Sequence, residues 1–168
     1  LATIFFASTI LNIINRIFEQ EYSNPIIFRL LYKILGYLSS NDTHNKLYFI
    51  FFLFHLSKQL GFMPNFERCN VCNMLFEYDA IFSLSSHSLI CSNCNIHNVL
   101  DTDIIISNGS LSCLNLINTT NINKITELKI SSINLKELYV FLISFMKCNI
   151  AYMDNIKGLE KIECMYHD

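Results

Sequence analysis

The chain has 168 residues, of which 52% are hydrophobic and 15% charged, and its formal net charge is −2. That length supports one domain with a substantial core, and the charge argues against a surface built to grip phosphate backbones. The longest unbroken apolar run, residues 47–54, is far short of the roughly 20 residues a membrane-spanning helix needs. The first residues have no cationic region before them and make a poor signal peptide. The chain begins with Leu1, which reads as a piece of a longer protein.

In chain order, Ile10, Leu11, Ile14, Ile17 and Phe18 recur at helical spacing and predict a first helix over residues 2–20. Asn24 before Pro25 is a start signal, a capping side chain followed by proline at the first helical position. Ile27, Leu30, Leu31, Ile34, Leu35 and Leu38 then give the stripe of a second helix over 25–38. A third spans 43–60, with Leu47, Ile50, Phe51 and Phe54 inward. Gly61 and Pro64 stop it. Ala80, Phe82 and Leu84 alternate with polar neighbours, and Leu89 and Cys91 resume the alternation after Ser85-Ser86-His87, which predicts a small β-hairpin. Residues 104–106 read as another short strand and 108–116 as a helix, followed by a polar linker over 118–123. Ser132 or Asn134 caps a last long helix ending near Tyr152, with Leu135, Leu138, Tyr139, Leu142, Ile143 and Met146 as its stripe. Ile156 and Leu159 give the tail one more apolar contact.

The chemistry is concentrated in Cys69-Asn-Val-Cys72 and Cys91-Ser-Asn-Cys94, two C-x2-C pairs separated by eighteen residues. Zinc takes four soft or borderline ligands at tetrahedral corners. A gap of about 15–20 residues suits a hairpin that carries the second pair back to the first. A thioredoxin-like use needs a βαβ setting, which is absent here. The other three of the seven cysteines, Cys113, Cys148 and Cys164, are scattered through helical sequence and fit reduced thiols better than a disulfide framework. The expected fold is therefore mainly α, a helical bundle with an embedded β-hairpin zinc ribbon. Residues 1–68 and 107–168 share one helical core, and 69–106 form the zinc-binding hairpin as an appendage.

Weaker candidates stand beside this site. His97, three residues after Cys94, has the spacing to replace a thiolate, but two complete pairs already fill a tetrahedron. Cys164 and His167 share that spacing in what reads as a frayed tail, and His55 reads as an ordinary packing histidine. Nothing points to an enzyme. The H-x-E and P-C-x-x-C of zinc deaminases are missing, as are H-E-x-x-H, a phosphate-binding glycine loop, G-x-S-x-G and a dinucleotide fingerprint. Between Cys69 and Asn123 there is no Lys or Arg, whereas Glu77, Asp79, Asp101 and Asp103 are acidic. Such a module reads as a structural staple or protein-docking knob rather than a nucleic-acid finger. Arg29 and Lys33, four apart on the second helix, suggest a pocket for an acidic peptide beside Leu30 and Ile34, weighed against a plain solvated helix face.

The stretch Leu60-Gly-Phe-Met-Pro-Asn-Phe-Glu-Arg-Cys69 resembles the C-terminal region of the bacterial recombination mediator family RecO. In that family a helical segment ends in Leu-Gly-aromatic-x-Pro and Cys-x-x-Cys. A Phe-Ser-containing hairpin follows, here Phe82-Ser83, then a second Cys-x-x-Cys and a mostly helical tail. Ile156-Lys157-Gly158-Leu159 is similar to the family's terminal Leu-Lys-Ser-like segment. Two departures are visible: the hairpin turns on Ser85-Ser86-His87 where the family uses glycine, and the terminal Ser is Gly158. The resemblance implies a non-enzymatic DNA-repair and recombination factor, cytoplasmic and nucleoid-associated, with one structural zinc. It implies RecR and the acidic C-terminal tail of single-strand-binding protein as partners, and RecA loading on the single strands that protein covers. Single-stranded DNA would be held mainly by an N-terminal OB-fold that precedes Leu1. The alternative is a zinc-ribbon nucleic-acid-binding domain of a transcription or translation factor, against which the cation-free zinc segment counts.

Overall fold

In the computed structural model the described residues are 2–18, 24–40, 42–95, 103–151 and 153–167. Among them the chain runs α1 (Ala2–Ile17), α2 (Pro25–Ser40), α3 (Asn45–Gln59), β1 (Ala80–Ser83), β2 (Ser88–Cys91), β3 (Ile104–Ile106), α4 (Asn108–Thr119), α5 (Ser132–Asn149) and α6 (Leu159–His167). Short 3₁₀ turns lie at Asp42–His44, Ser92–Cys94, Ile122–Glu127 and Met153–Asn155. The fold is mainly helical with a small antiparallel sheet. The ends expected at Gln20 and Tyr152 lie outside the described residues.

Helix α3 is the axis, with α1, α2, α4 and α5 packed around it. Leu47, Ile50, Phe51 and Phe54 are buried as expected, but so are Tyr48, Phe49, Phe52 and Leu53. The single inward stripe expected of this helix is thereby corrected: an unbroken apolar run suits a helix enclosed on all sides. Phe49 meets the Phe6 ring edge-on at 5.4 Å and lies 6.3 Å from Tyr139, which joins α1 and α5 to the axis. The starts of α2, α4 and α5 are set by short polar side chains. Asn24 Oδ1 accepts from the Ile26 and Ile27 amides at 3.1 Å, as the Asn-Pro pair predicted. The cap of α5 is Ser131, whose hydroxyl accepts from the Asn134 amide at 3.1 Å, one position before the expected Ser132 and three before Asn134. The supposed polar linker is also structured. Its Ile122 is buried at the start of a 3₁₀ turn together with Ile125 just beyond the linker, so apolar contact fixes what polar composition had suggested was loose.

The sheet has the order β2-β1-β3 and is antiparallel throughout, with Phe82 opposite both Leu89 and Ile104. Every residue of β1 is buried, and Phe82 packs against Phe141 and Phe145 of α5 at ring-centroid distances of 5.3 and 5.6 Å. The sheet therefore belongs to the helical core instead of hanging from it. The cysteine-bearing end is the exposed part of the segment, where residues 70–75 all face solvent. At the hairpin turn His87 adopts φ 50°, the left-handed conformation for which glycine is the usual choice.

The tail is no frayed end. Helix α6 buries Ile162 and Tyr166, and the Tyr166 ring stacks on Tyr139 of α5 at 4.4 Å. It begins after Gly158, at φ +100°, where an added Cβ would run into the buried Thr9 side chain of α1. The residue that departs from the resembling motif thus occupies a place that only glycine fits without strain.

Candidate metal centre

Two short loops bring the cysteines together. The chain leaves α3 through Gly61, at φ +82°, and Asn65 Oδ1 accepts from the Glu67 and Arg68 amides at 2.9 and 3.0 Å. A narrow ribbon follows. Arg68 pairs with Leu75, the Phe76 amide donates to the Glu67 carbonyl at 3.0 Å, and the Cys69 amide donates to the Met74 carbonyl at 2.9 Å. Asn73, at φ 60°, lets the chain reverse and donates its amide back to the Cys69 carbonyl. Asn and Asp tolerate that backbone region better than other side chains. The second loop is simpler: β2 delivers Cys91, and the 3₁₀ turn Ser92–Cys94 folds Cys94 back beside it. The two loops are joined by the Asn70 amide, which donates to the Leu89 carbonyl at 2.9 Å.

The outcome is a cluster in which the sulfurs of Cys69, Cys72, Cys91 and Cys94 all lie within 4.8 Å of one another. Cys72 Sγ and Cys91 Sγ are 3.8 Å apart. A Zn–S bond of about 2.3 Å at tetrahedral angles places sulfurs about 3.8 Å apart, so the donor set and its spacing fit that ion. Cys69 is buried, and its sulfur accepts from the Val71 and Cys91 amides at 3.4 and 3.3 Å. Burial alone would raise its pKa. The N–H donors of Cys72, Cys91 and Val71 outweigh that effect and bring it down to about 6. Cys94 is pushed the other way, to about 12, by hydrogen bonds to Cys72 and then Cys91. Thiols this close cannot all ionise against one another, and a divalent cation at their centre reverses that balance. The cluster can hold one metal ion. His97 lies outside the described residues, as does the side chain of His167, and Cys164 is exposed on α6.

Arg29 and Lys33 sit on the exposed side of α2 and line a groove of about 450 Å³ together with Ile26, Leu30, Phe51 and His55. Ile34, expected beside them, is fully buried and takes no part. Ile26 of α2 itself and Ile122, from a 3₁₀ turn distant in sequence, supply apolar wall in its place. Periodicity on one helix carried no signal for Ile122. The His55 ring lies tilted against Phe51 at 4.1 Å, and burial lowers its pKa to about 4 against the opposing Ile117 backbone hydrogen bond. It is neutral at pH 7, so the positive charge of this groove comes from α2.

Comparison with known proteins bears on the whole of this arrangement. The family model described as Recombination protein O C terminal matches residues 1–153, which include all four clustered cysteines. The chain is 28% identical over 136 residues to the DNA repair protein RecO of Thermodesulfovibrio yellowstonii, an alignment covering 79% of this chain and 53% of that protein. The chain thus spans about half the length of the curated relative it matches. No solved structure matches it.

Proposed function

The chain belongs to the recombination protein O C-terminal family, and from that premise we propose that it serves DNA repair and homologous recombination as the zinc-stapled helical region of a mediator. The match over residues 1–153 is the observation that carries this reading. In the proposal the protein is cytoplasmic, not catalytic, and helps load RecA on single strands covered by single-strand-binding protein, with RecR as a partner. No helix among the described residues is long and apolar enough to cross a membrane.

Cys69, Cys72, Cys91 and Cys94 would hold the zinc. With four thiolate ligands the ion supplies cross-linking and no open coordination position, so its contribution is to the fold. The chain's own work is contact. The groove of Arg29 and Lys33 offers two cations for carboxylates and the apolar edges of Ile26, Leu30 and Phe51 for a buried aromatic. That chemistry suits the acidic tail of single-strand-binding protein. Phosphate backbone is a poorer ligand, because its affinity comes from several clustered cations and the twelve basic residues here are dispersed and outnumbered by fourteen acidic ones.

Fluorescence anisotropy at physiological salt tests the reading. An acidic peptide ending in Phe should bind this chain more tightly than a single-stranded oligonucleotide does, and Arg29→Ala with Lys33→Ala should weaken the peptide by about tenfold or more. Tight DNA binding with no detectable peptide affinity would overturn it in favour of a nucleic-acid-binding zinc ribbon. Peptide binding that ignores both substitutions would remove only the groove.

A further inference from the structure

The ribbon that carries the first cysteine pair exposes apolar side chains in a run. Val71, Met74, Leu75 and Tyr78 are 66%, 65%, 56% and 75% accessible. Leucine and methionine so exposed on a segment this well tied by backbone hydrogen bonds contribute nothing to the core. Met74, Leu75 and Tyr78 line one side of a cleft of about 340 Å³, and residues 91–94 of the second cysteine loop line the other. Glu77 and Asp79 also line it. Among the described residues neither is in an ion pair, and the sequence has no Lys or Arg from Cys69 to Asn123. Arg68, just outside, donates its guanidinium to the Asn73 carbonyl at 3.1 Å, on the ribbon itself.

We propose that this cleft is a protein-docking site whose occupant is a basic, apolar peptide segment of a partner protein, one that places Arg or Lys side chains beside leucine-like ones. Charge selects the occupant. Phosphate is repelled by Glu77 and Asp79, and an acidic segment is repelled equally. A guanidinium or ammonium group satisfies both carboxylates while its aliphatic stem lies along Met74 and Leu75. Tyr78 adds a flat face on which a guanidinium stacks. Asp79 is already held in place, since its Oδ1 accepts from the Asn108 amide at 2.9 Å, so one of the two acidic groups is positioned before any partner arrives. The cleft shares no residue with the Arg29–Lys33 groove and does not depend on the peptide assigned there. A two-ended adaptor results: a cationic groove on α2 and an anionic cleft at the cysteine end.

The test uses the full chain purified with its metal and two synthetic probes, a dodecapeptide alternating Leu and Arg and its counterpart alternating Leu and Glu. Titrations at physiological salt are read by fluorescence anisotropy, with heteronuclear NMR to locate the contact. The Arg probe is expected to shift the amides of residues 74–79 and 91–94, and the Glu probe is expected to leave them unmoved. Glu77→Lys and Leu75→Ser should each weaken the Arg probe by about tenfold. Both side chains are exposed, and unchanged circular dichroism and metal content would show that fold and cluster survive. Shifts by both probes, or affinity indifferent to Glu77→Lys and Leu75→Ser, would overturn the proposal. So would a concentration-dependent dimer abolished by Leu75→Ser, which would give the cleft to a second copy of the chain.

Discussion

Glu137 on α5 accepts hydrogen bonds from the Ser107 amide at 3.1 Å, the Ser107 hydroxyl at 2.6 Å and the Ser110 hydroxyl at 2.8 Å. These donors open α4, where the amides of a helix start lack internal partners and a negative charge is welcome. Burial pulls the Glu137 pKa up, but the Ser107 and Ser110 hydrogen bonds outweigh it and leave the carboxyl below its ordinary 4.5. A depressed folded value means that the unfolded chain binds the proton more readily. The stabilisation is therefore complete above pH 4.5 and is lost as the pH falls through the folded value. Glu137→Gln should cost about 1 kcal/mol at pH 7, the range of about 1.5–3 for charged hydrogen bonds discounted for partial exposure, and the difference from the unsubstituted chain should shrink toward pH 3. Urea midpoints at the two pH values check this; a constant difference would mean that the carboxylate charge is not what Ser107 and Ser110 recognise. Nothing in the sequence marks Glu137, since its partners lie 27 and 30 residues away. The four cysteines were legible at once because coordination chemistry fixes their number and spacing. Arg29 and Lys33 were legible as a pair on one helix face, but the apolar wall opposite them was not, because it comes from another element.

At the scale of elements, the sheet is held from two ends. One end is the cysteine cluster and the other is the contact of Phe82 with Phe141 and Phe145. Alternation in the sequence showed a hairpin and a further short strand, but could not show that both faces of β1 are covered. That depends on α5 presenting Phe141 and Phe145, which fell outside its expected stripe. The consequence is testable by metal removal. Structural zinc contributes on the order of 10–16 kcal/mol of apparent binding energy in isolated zinc-finger peptides. Those peptides have no other anchor, so here chelation or Cys72→Ser should unravel only the ends that the metal joins. Hydrogen exchange should rise first at the amides of Cys69, Asn73 and Asn95, which close the two cysteine loops. The amides of β1 should stay protected by the core. Simultaneous loss of protection in β1 and in the two cysteine loops would show that metal and core form a single cooperative unit. Elemental analysis of protein purified without chelator should find one zinc per chain.

At the scale of the whole molecule, the family match stops at residue 153, yet the chain does not stop being core there. Helix α6 closes the bundle at the end where α1, α3 and α5 meet. Its Tyr166 stacks on Tyr139 at 4.4 Å and donates its hydroxyl to the Lys46 carbonyl at 2.6 Å, near the start of α3. Tyr139 in turn donates to the Leu159 carbonyl at 3.2 Å, where α6 begins. Both phenols have pKa values raised chiefly by burial, so both keep their protons at physiological pH and remain donors. The Lys46 carbonyl lies in the first turn of α3, where its helix partner would be the amide of Ile50, and the phenol is a second donor to it. Tyr166→Phe keeps the ring stack and removes only that donor, so it should cost about 1 kcal/mol, the usual net worth of one hydrogen bond. Tyr166→Ala also deletes a buried ring and should cost about 3–5 kcal/mol, the range for large aromatic truncations. The two losses separate the roles of α6. A large cost for Ala with a small one for Phe is expected of a helix that seals apolar surface. Thermal melts in which both variants match the unsubstituted chain would return these last residues to the status of a tail and leave Tyr139 covered by something other than α6.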